Sequence, residues 1–166
     1  MLRLSRKTMY VLEAVLDIAC HARPDPVQSK DIAKRQGIPQ RYLEGALQHL
    51  VRAGILRGVR GPRGGYRLAR ERRRITVAEI IRLMDGMDGM DGPGEDWADL
   101  AGSPLGLAVV QPLWQELHDE MLTRLEGVSV EDLFRQAREA GVVEGSSASG
   151  TPGTTSPRQR GADFDI

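Results

Sequence analysis

A single cysteine, Cys20, stands among the 166 residues, so no internal disulfide framework is available and the chain suits a reducing compartment. Aromatic residues are almost as scarce, with two Trp, three Tyr and two Phe, so any core must be mainly aliphatic. No apolar run approaches the roughly 20 residues of a membrane-spanning helix. The basic, then apolar start MLRLSRKTMYVLEAVLDIAC is interrupted by Glu13 and Asp17 before it can serve as a signal peptide's apolar core. The three histidines, His21, His49 and His118, are scattered, and nothing assembles a Ser/His/Asp or metal-hydrolase set. These absences lead to the expectation of a soluble cytoplasmic protein that is not an enzyme, built as one globular domain or a small domain plus an appendage.

Net charge is missing too, with 23 basic side chains against 23 acidic ones, but that balance conceals a division. Residues 1–74 hold 17 Lys and Arg against 6 Asp and Glu, whereas residues 75–145 hold 4 against 15. A strongly basic half suits a polyanionic partner, and the acidic half serves another purpose. Chance segregation of solvated faces is the bland alternative.

What is present along the chain favours the polyanion. From Ser5 to Cys20, Met9, Leu12, Leu16 and Ala19 recur with a helical period, and Pro24 and Pro26 end that segment. The stretch QSKDIAKRQG reads as a short second helix capped by Gln28 or Ser29, with Asp31 in its first turn and Gly37 at its exit. After the turn GIP, a third helix spans about Gln40 to Ala53, with Leu43, Ala46, Leu47 and Leu50 on one face. Two such helices joined by a tight Gly-containing turn form a helix-turn-helix. Ile55 to Val59 and Tyr66 to Leu68 then read as strands around RGPRGG, the turn of a basic hairpin. Together these predict a winged helix.

Thr76 to Glu79 has capping-box spacing and opens a fourth helix ending near Met84. The acidic triplet repeat MDGMDGMDGPG follows, in a loop reaching about Pro104. A longer helix from about Leu105 to Leu125 carries Val109, Leu113, Leu117, Met121 and Leu125 at intervals of four, beside Val110 and Trp114. So large an apolar stripe needs a covering surface, supplied by a second copy of the helix or by the chain's own winged domain. SVED, Ser129 to Asp132, caps a last helix ending near Gly141, and the Ser/Gly/Pro/Thr-rich residues 144–166 are expected to be disordered.

The second helix of a helix-turn-helix enters the major groove N-terminus first. Gln40, Arg41, Tyr42, Glu44 and Gln48 are therefore the candidate base readers: Arg41 for guanine, Gln40 or Gln48 for adenine, and Glu44 for the amino group of cytosine. In the wing, Arg57, Arg60, Arg63 and Arg67 surround Gly61, Gly64 and Gly65, with Tyr66 beside them. Those glycines let backbone approach DNA, and Arg63 can enter a minor groove. Arg3, Arg6, Lys7, Ser29 and Lys30 are assigned to phosphates, which fix register and make binding salt-dependent.

The stretches LRLSRKTMYVLEAVLDIA, DIAKRQGIPQRYLEGALQHLVRAGIL, VRGPRGGYRLA and ITVAEIIRLMDG, with a weaker PLWQELHDEM, resemble the Rrf-two family of bacterial winged-helix regulators over about residues 1–140. Residues 59–68 are the most specific part. The resemblance implies a fold that is mainly α with a small β-wing, a winged helix-turn-helix DNA-binding domain plus a long dimerisation helix. It also implies a homodimer on a palindromic operator, pairing through Val109, Val110, Leu113, Trp114, Leu117, Met121 and Leu125. The division that follows is a DNA-binding domain over 1–84, a Gly/Asp-rich segment over 85–104 where the family keeps its sensor loop, a dimerisation helix and last helix over 105–143, and a tail over 144–166.

Iron–sulfur members of that family carry three closely spaced cysteines between the fourth helix and the dimer helix, and this chain has none there. Some members add a His where Gln111 stands, or an acidic residue where Thr8 and Met9 stand. Asp85, Asp88 and Asp91 are hard oxygen donors, a poor match for a cluster. Their spacing of three does not fit an EF-hand, which uses alternate positions and a distal Glu. The expectation is therefore no cofactor and no metal site, with a shortened remnant of the sensor loop. Cys20 is expected to be a small core residue, with a redox or metal role as the alternative.

The leading reading is a dimeric, sequence-specific DNA-binding transcriptional regulator, a repressor, without an iron–sulfur cluster. Its partners are double-stranded DNA, a second copy of itself, and a small effector or a protein partner, with no membrane. The alternatives are an iron–sulfur or redox-sensing regulator using Cys20, His21 or the aspartate loop, and a winged helix that binds another protein.

Overall fold

The computed structural model describes residues 5–88 and 103–143. Arg3, Asp91 and the tail expected over 144–166 lie outside the described residues. The Ser5 hydroxyl accepts a hydrogen bond from the Thr8 amide at 3.1 Å, so α1 opens at Arg6 and runs to His21. Three-four spacing puts Val11, Ala14, Val15 and Ile18 on its buried side, a correction to the stripe read from the sequence, of which Met9 is 44 % exposed and Leu12, Leu16 and Ala19 are half-buried. Helix α2 spans Ser29–Gln36 and α3 spans Gln40–Arg52, with Leu43, Ala46, Leu47 and Leu50 buried as the sequence periodicity requires. Gln28 is the N-cap residue of α2, without a side-chain cap bond.

Strands β1 (Leu56–Val59) and β2 (Gly65–Leu68) pair antiparallel, Leu56 opposite Leu68 and Val59 opposite Gly65. Val27 adds itself to the far edge of β2 by exchanging two backbone hydrogen bonds with Tyr66, at 2.7 and 3.0 Å. The ladder thereby gains a short third lane. A 3₁₀ turn at Arg72–Arg74 leads into α4, Val77–Asp88. A π-helical turn at Gly106–Val110 runs directly into α5, Gln111–Glu126, and α6 spans Val130–Glu139.

The main core joins Val11, Val15 and Ile18 to Ile32, Leu47, Ile55 and Ile80, an aliphatic set, as the shortage of aromatics requires. Each such side chain contributes about 1.5–3 kcal/mol when fully buried. A buried carboxylate sits beside it. Asp17, only 3 % exposed, accepts from Arg35 Nε and Nη2 at 2.9 and 2.7 Å and from Gln36 at 2.9 Å, tying α1 to the end of α2. A smaller cluster of Val77, Ala78, Ile81 and Leu122 joins α4 to α5. Ser129 caps α6 through a complete capping box with Asp132, and those hydrogen bonds hold the Asp132 carboxyl below its usual range.

Three boundaries differ from the sequence reading. Helix α4 continues past Met84 to Asp88, so the start of the MDG stretch belongs to a helix and not to the loop expected over 85–104, of which residues 89–102 lie outside the described residues. Thr76 caps α4, accepting from the Glu79 amide at 3.2 Å, but the Glu79 carboxylate pairs with Arg70 at 2.6 Å. The box at that end is therefore half formed. Finally, the long helix begins as a wider turn because Pro112 has no amide hydrogen for the Ala108 carbonyl, and the regular ladder cannot pass that point.

Candidate nucleic-acid interface

Helix α3 presents Gln40, Arg41, Glu44 and Gln48 to solvent along one side. Gln40 Nε2 donates to Glu44 Oε1 at 2.9 Å. This i, i+4 pair ties the two side chains together and leaves the Gln40 carbonyl oxygen and the second Glu44 oxygen outside that bond. Arg41 supplies the complementary donor. Tyr42 does not belong with them: its ring is half-buried, packs against the core and lies 6.1 Å from the Tyr10 ring. It sits beside Leu43 and Ala46 on the helix, and the phenol is carried inward with them. His49 is half-buried on the edge of the same helix.

The wing turn exposes Arg57, Arg60 and Arg63. Gly61 has φ +112°, a conformation that favours glycine at the turn. A Cβ on Gly64 would run into the Val59 carbonyl, and one on Gly65 into the Val27 carbonyl. These two glycines serve close crossings within the chain itself, a need separate from the approach to DNA expected of them. Tyr66 is half-buried against the core through its place in the middle of the three-lane ladder. Arg67 turns toward the segment after α1, donating to the Ala22 and Pro24 carbonyls. Its side chain anchors the sheet rather than furnishing the tip.

At the start of α2, Lys30 is exposed and Ser29 is half-buried. Gln28 Nε2 donates to the Pro62 carbonyl at 3.4 Å, which brings the wing turn beside that helix start. On α1, Arg6 is exposed and Lys7 half-buried. Donors from the wing turn and the first turn of α2 thus lie side by side, a suitable arrangement for phosphate oxygens.

The expected pairing surface divides in two. Val109, Val110, Leu113 and Leu117 are 56, 53, 55 and 38 % exposed. Leu105 and Leu107, at 69 and 53 %, extend this patch. Those two were missed because the π-helical turn shifts the angular register away from a uniform spacing of four. Trp114 and Met121 are half-buried. Leu125 packs on the cluster formed by α4 and α5, so the C-terminal part of the helix covers its own chain.

Soft-metal chemistry finds little to work with. Cys20 is half-buried on α1, and burial followed by the Asp17 charge pushes its thiol up to about 11 despite the opposing pull of Arg72. His21 Nδ1 lies 2.9 Å from the Asp17 carbonyl oxygen, and His118 Nε2 lies 3.4 Å from Asp85 Oδ2. Among the described residues no group of three or more His, Cys, Asp or Glu side chains could hold a metal ion. With one cysteine in the sequence, the residues present do not fit an iron–sulfur cluster, which is held mainly by thiolates.

Comparison with known proteins gives concordant matches. Residues 4–136 match the family described as Rrf2, iron-dependent transcriptional regulator. The chain is 36 % identical over 135 residues to the HTH-type transcriptional regulator IscR of Xenorhabdus nematophila, covering 81 % of this chain and 80 % of that one. The solved structure of T. potens IscR superposes with a TM-score of 0.65 at 33 % identity, covering 87 % of this chain and 94 % of the other. That of CymR (YrzC), described as the global cysteine regulator of B. subtilis, superposes with a TM-score of 0.61 at 29 % identity, covering 82 % and 98 %.

Proposed function

This chain belongs to the Rrf2 family of helix-turn-helix transcriptional regulators, and from that premise we propose that it acts as a homodimeric repressor on a palindromic operator without an iron–sulfur cluster. The observation that carries the reading is the exposed donor–acceptor array of Gln40, Arg41 and Glu44 at the start of α3, in a protein whose wing turn carries Arg60 and Arg63. In this reading Arg41, Gln40, Glu44 and Gln48 meet base edges, Arg60 and Arg63 follow the backbone into the adjacent minor groove, and Arg6, Lys7, Ser29 and Lys30 hold phosphates. Arg3 would join that last group. The exposed apolar patch from Leu105 to Leu117 pairs two copies, so that two α3 helices meet half-sites about 34 Å apart.

An effector acts by changing the separation of those helices, because half-sites tolerate a narrow range of spacing. The protein works in the cytoplasm, where the bacterial genome lies. The single cysteine supports regulation without a cluster, which is held mainly by several thiolates.

The test is selection of a palindrome from random duplex DNA, followed by titration of variants at fixed salt. Arg41→Ala should cost about 1–3 kcal/mol and relax selectivity at one base pair of each half-site. Arg63→Ala should weaken all sequences alike and flatten the salt dependence. Unchanged operator affinity in both variants would remove the assignment. The cluster-free part is checked by the visible spectrum and iron content of anaerobically purified protein, expected to be colourless with no stoichiometric iron.

A further inference from the structure

We infer that a cavity on the flank of the wing binds a small oxyanion carrying two or more negative charges, and that this anion is the regulator's effector. The effector role rests on the regulator reading above; the binding site does not. The cavity measures about 460 Å³ and is lined by Arg23, Arg57, Arg67, Arg70, Arg72 and Arg73, opposed by only Glu71 and Glu131. Ile18 and Leu68 also line it. The volume lies within the roughly 300–1,000 Å³ usual for small-molecule sites.

Six arginines line this one concavity, and guanidinium groups held near one another repel unless something negative lies between them, with low-dielectric walls concentrating that potential. The chain neutralises part of it. Arg70 pairs with Glu79 at 2.6 Å, Arg72 with Glu131 at 3.0 Å and Arg73 with Glu71 at 3.3 Å, while Arg67 is spent on backbone carbonyls. Among the described residues, Arg23 and Arg57 have no acidic partner within salt-bridge distance. A carboxylate or phosphate group offers the planar or tetrahedral oxygens that arginine forks bind best, and one charge would not offset the excess.

The position also supplies a route for regulation. Arg72 stacks over the Phe134 ring of α6, 3.9 Å from its centroid, and holds Glu131 of the same helix. Arg70 holds Glu79 at the start of α4. An anion in the cavity competes with Glu131 and Glu79 for these guanidiniums, so occupancy changes how the segment after the wing is tied to α4 and α6. Thermodynamic linkage then requires that DNA and the anion affect each other's affinity.

Calorimetric titration of the full chain with citrate and with pyrophosphate, at ionic strength held constant with chloride, decides the site. Wild type should show saturable binding of at least one probe, and the probe that binds more tightly tells carboxylate from phosphate chemistry. Arg23→Gln combined with Arg73→Gln should weaken it about tenfold. Glu71→Gln should tighten it several-fold, a gain that misfolding cannot produce. Absence of saturable binding for both probes, or affinities unchanged in these variants, would overturn the inference. Fluorescence anisotropy with duplex DNA provides the second arm: the Arg23/Arg73 variant should bind DNA within about twofold of wild type. A loss as large as that of Arg63→Ala would assign these arginines to the DNA backbone and sink the proposal. Because calorimetry is read without DNA, failure of the regulator reading and failure of the anion site are separate results.

Discussion

Asp17 shows how one charged residue can join two helices at modest risk. Its carboxylate is removed from solvent, but three donors from Arg35 and Gln36 satisfy it, and the same bonds raise the Arg35 pKa above its usual value. Asp17→Asn leaves a guanidinium without its counter-charge and should lower stability by about 2 kcal/mol in urea unfolding, less than for a fully buried pair because Arg35 keeps contact with water. Cys20 behaves in the opposite sense. Its thiol, raised from 9.0 to about 11, is protonated at neutral pH, so alkylation near pH 8 should be on the order of 100-fold slower than for a free thiol. The unfolded chain loses that proton first, so this group's linkage removes stability as pH rises from about 9 to about 11 and has no effect below. Comparing wild type with Cys20→Ser at pH 7.5 and pH 10 checks the sign: wild type should lose ground at the higher pH.

At the scale of elements, the wing depends on a close crossing. Val27 reaches β2 only because Gly65 has no side chain in the way. Gly65→Ala should therefore cost about 2 kcal/mol and selectively remove hydrogen-exchange protection at the Val27 and Tyr66 amides, while α3 keeps its own. Uniform loss across the fold would mean that the crossing is not a local feature. The long helix divides its work at a comparable scale. Near Leu122 and Leu125 it is committed to α4, whereas from Leu105 to Leu117 it leaves Leu105, Leu107, Val109, Val110, Leu113 and Leu117 exposed among the described residues.

For the whole molecule, that uncovered surface and the basic N-terminal half act together in the proposed dimer: one sets the distance between two copies, the other supplies the charge facing DNA. Light scattering should give twice the 18.3 kDa chain mass for wild type. Leu113→Lys with Leu117→Lys should give the chain mass alone, with operator affinity falling by orders of magnitude as the two half-sites cease to be linked. An unchanged mass in that variant would place the pairing surface elsewhere. Intact thermal unfolding of the variant would separate lost pairing from lost folding.

Local chemistry was readable without coordinates. Helical periodicity set the buried face of α3, RGPRGG marked the turn, and Ser129 with Asp132 marked a helix start, since each depends on neighbours within a few residues. On α1, by contrast, the stripe of Met9, Leu12, Leu16 and Ala19 lies beside the face that is buried, Val11, Ala14, Val15 and Ile18. Three assignments turned on partners far along the chain. Tyr42 was drawn inward by Tyr10, Arg67 by carbonyls after α1, and the wing glycines were required by Val27 and Val59. The same holds for the arginine cavity, whose charges come from the end of α1, the hairpin and the 3₁₀ turn. Sequence determined which segments fold and which of their faces are apolar, because those preferences are local. Only tertiary structure decided which polar side chains remain free to meet a partner, because that depends on which distant donors and acceptors the fold has already brought to them.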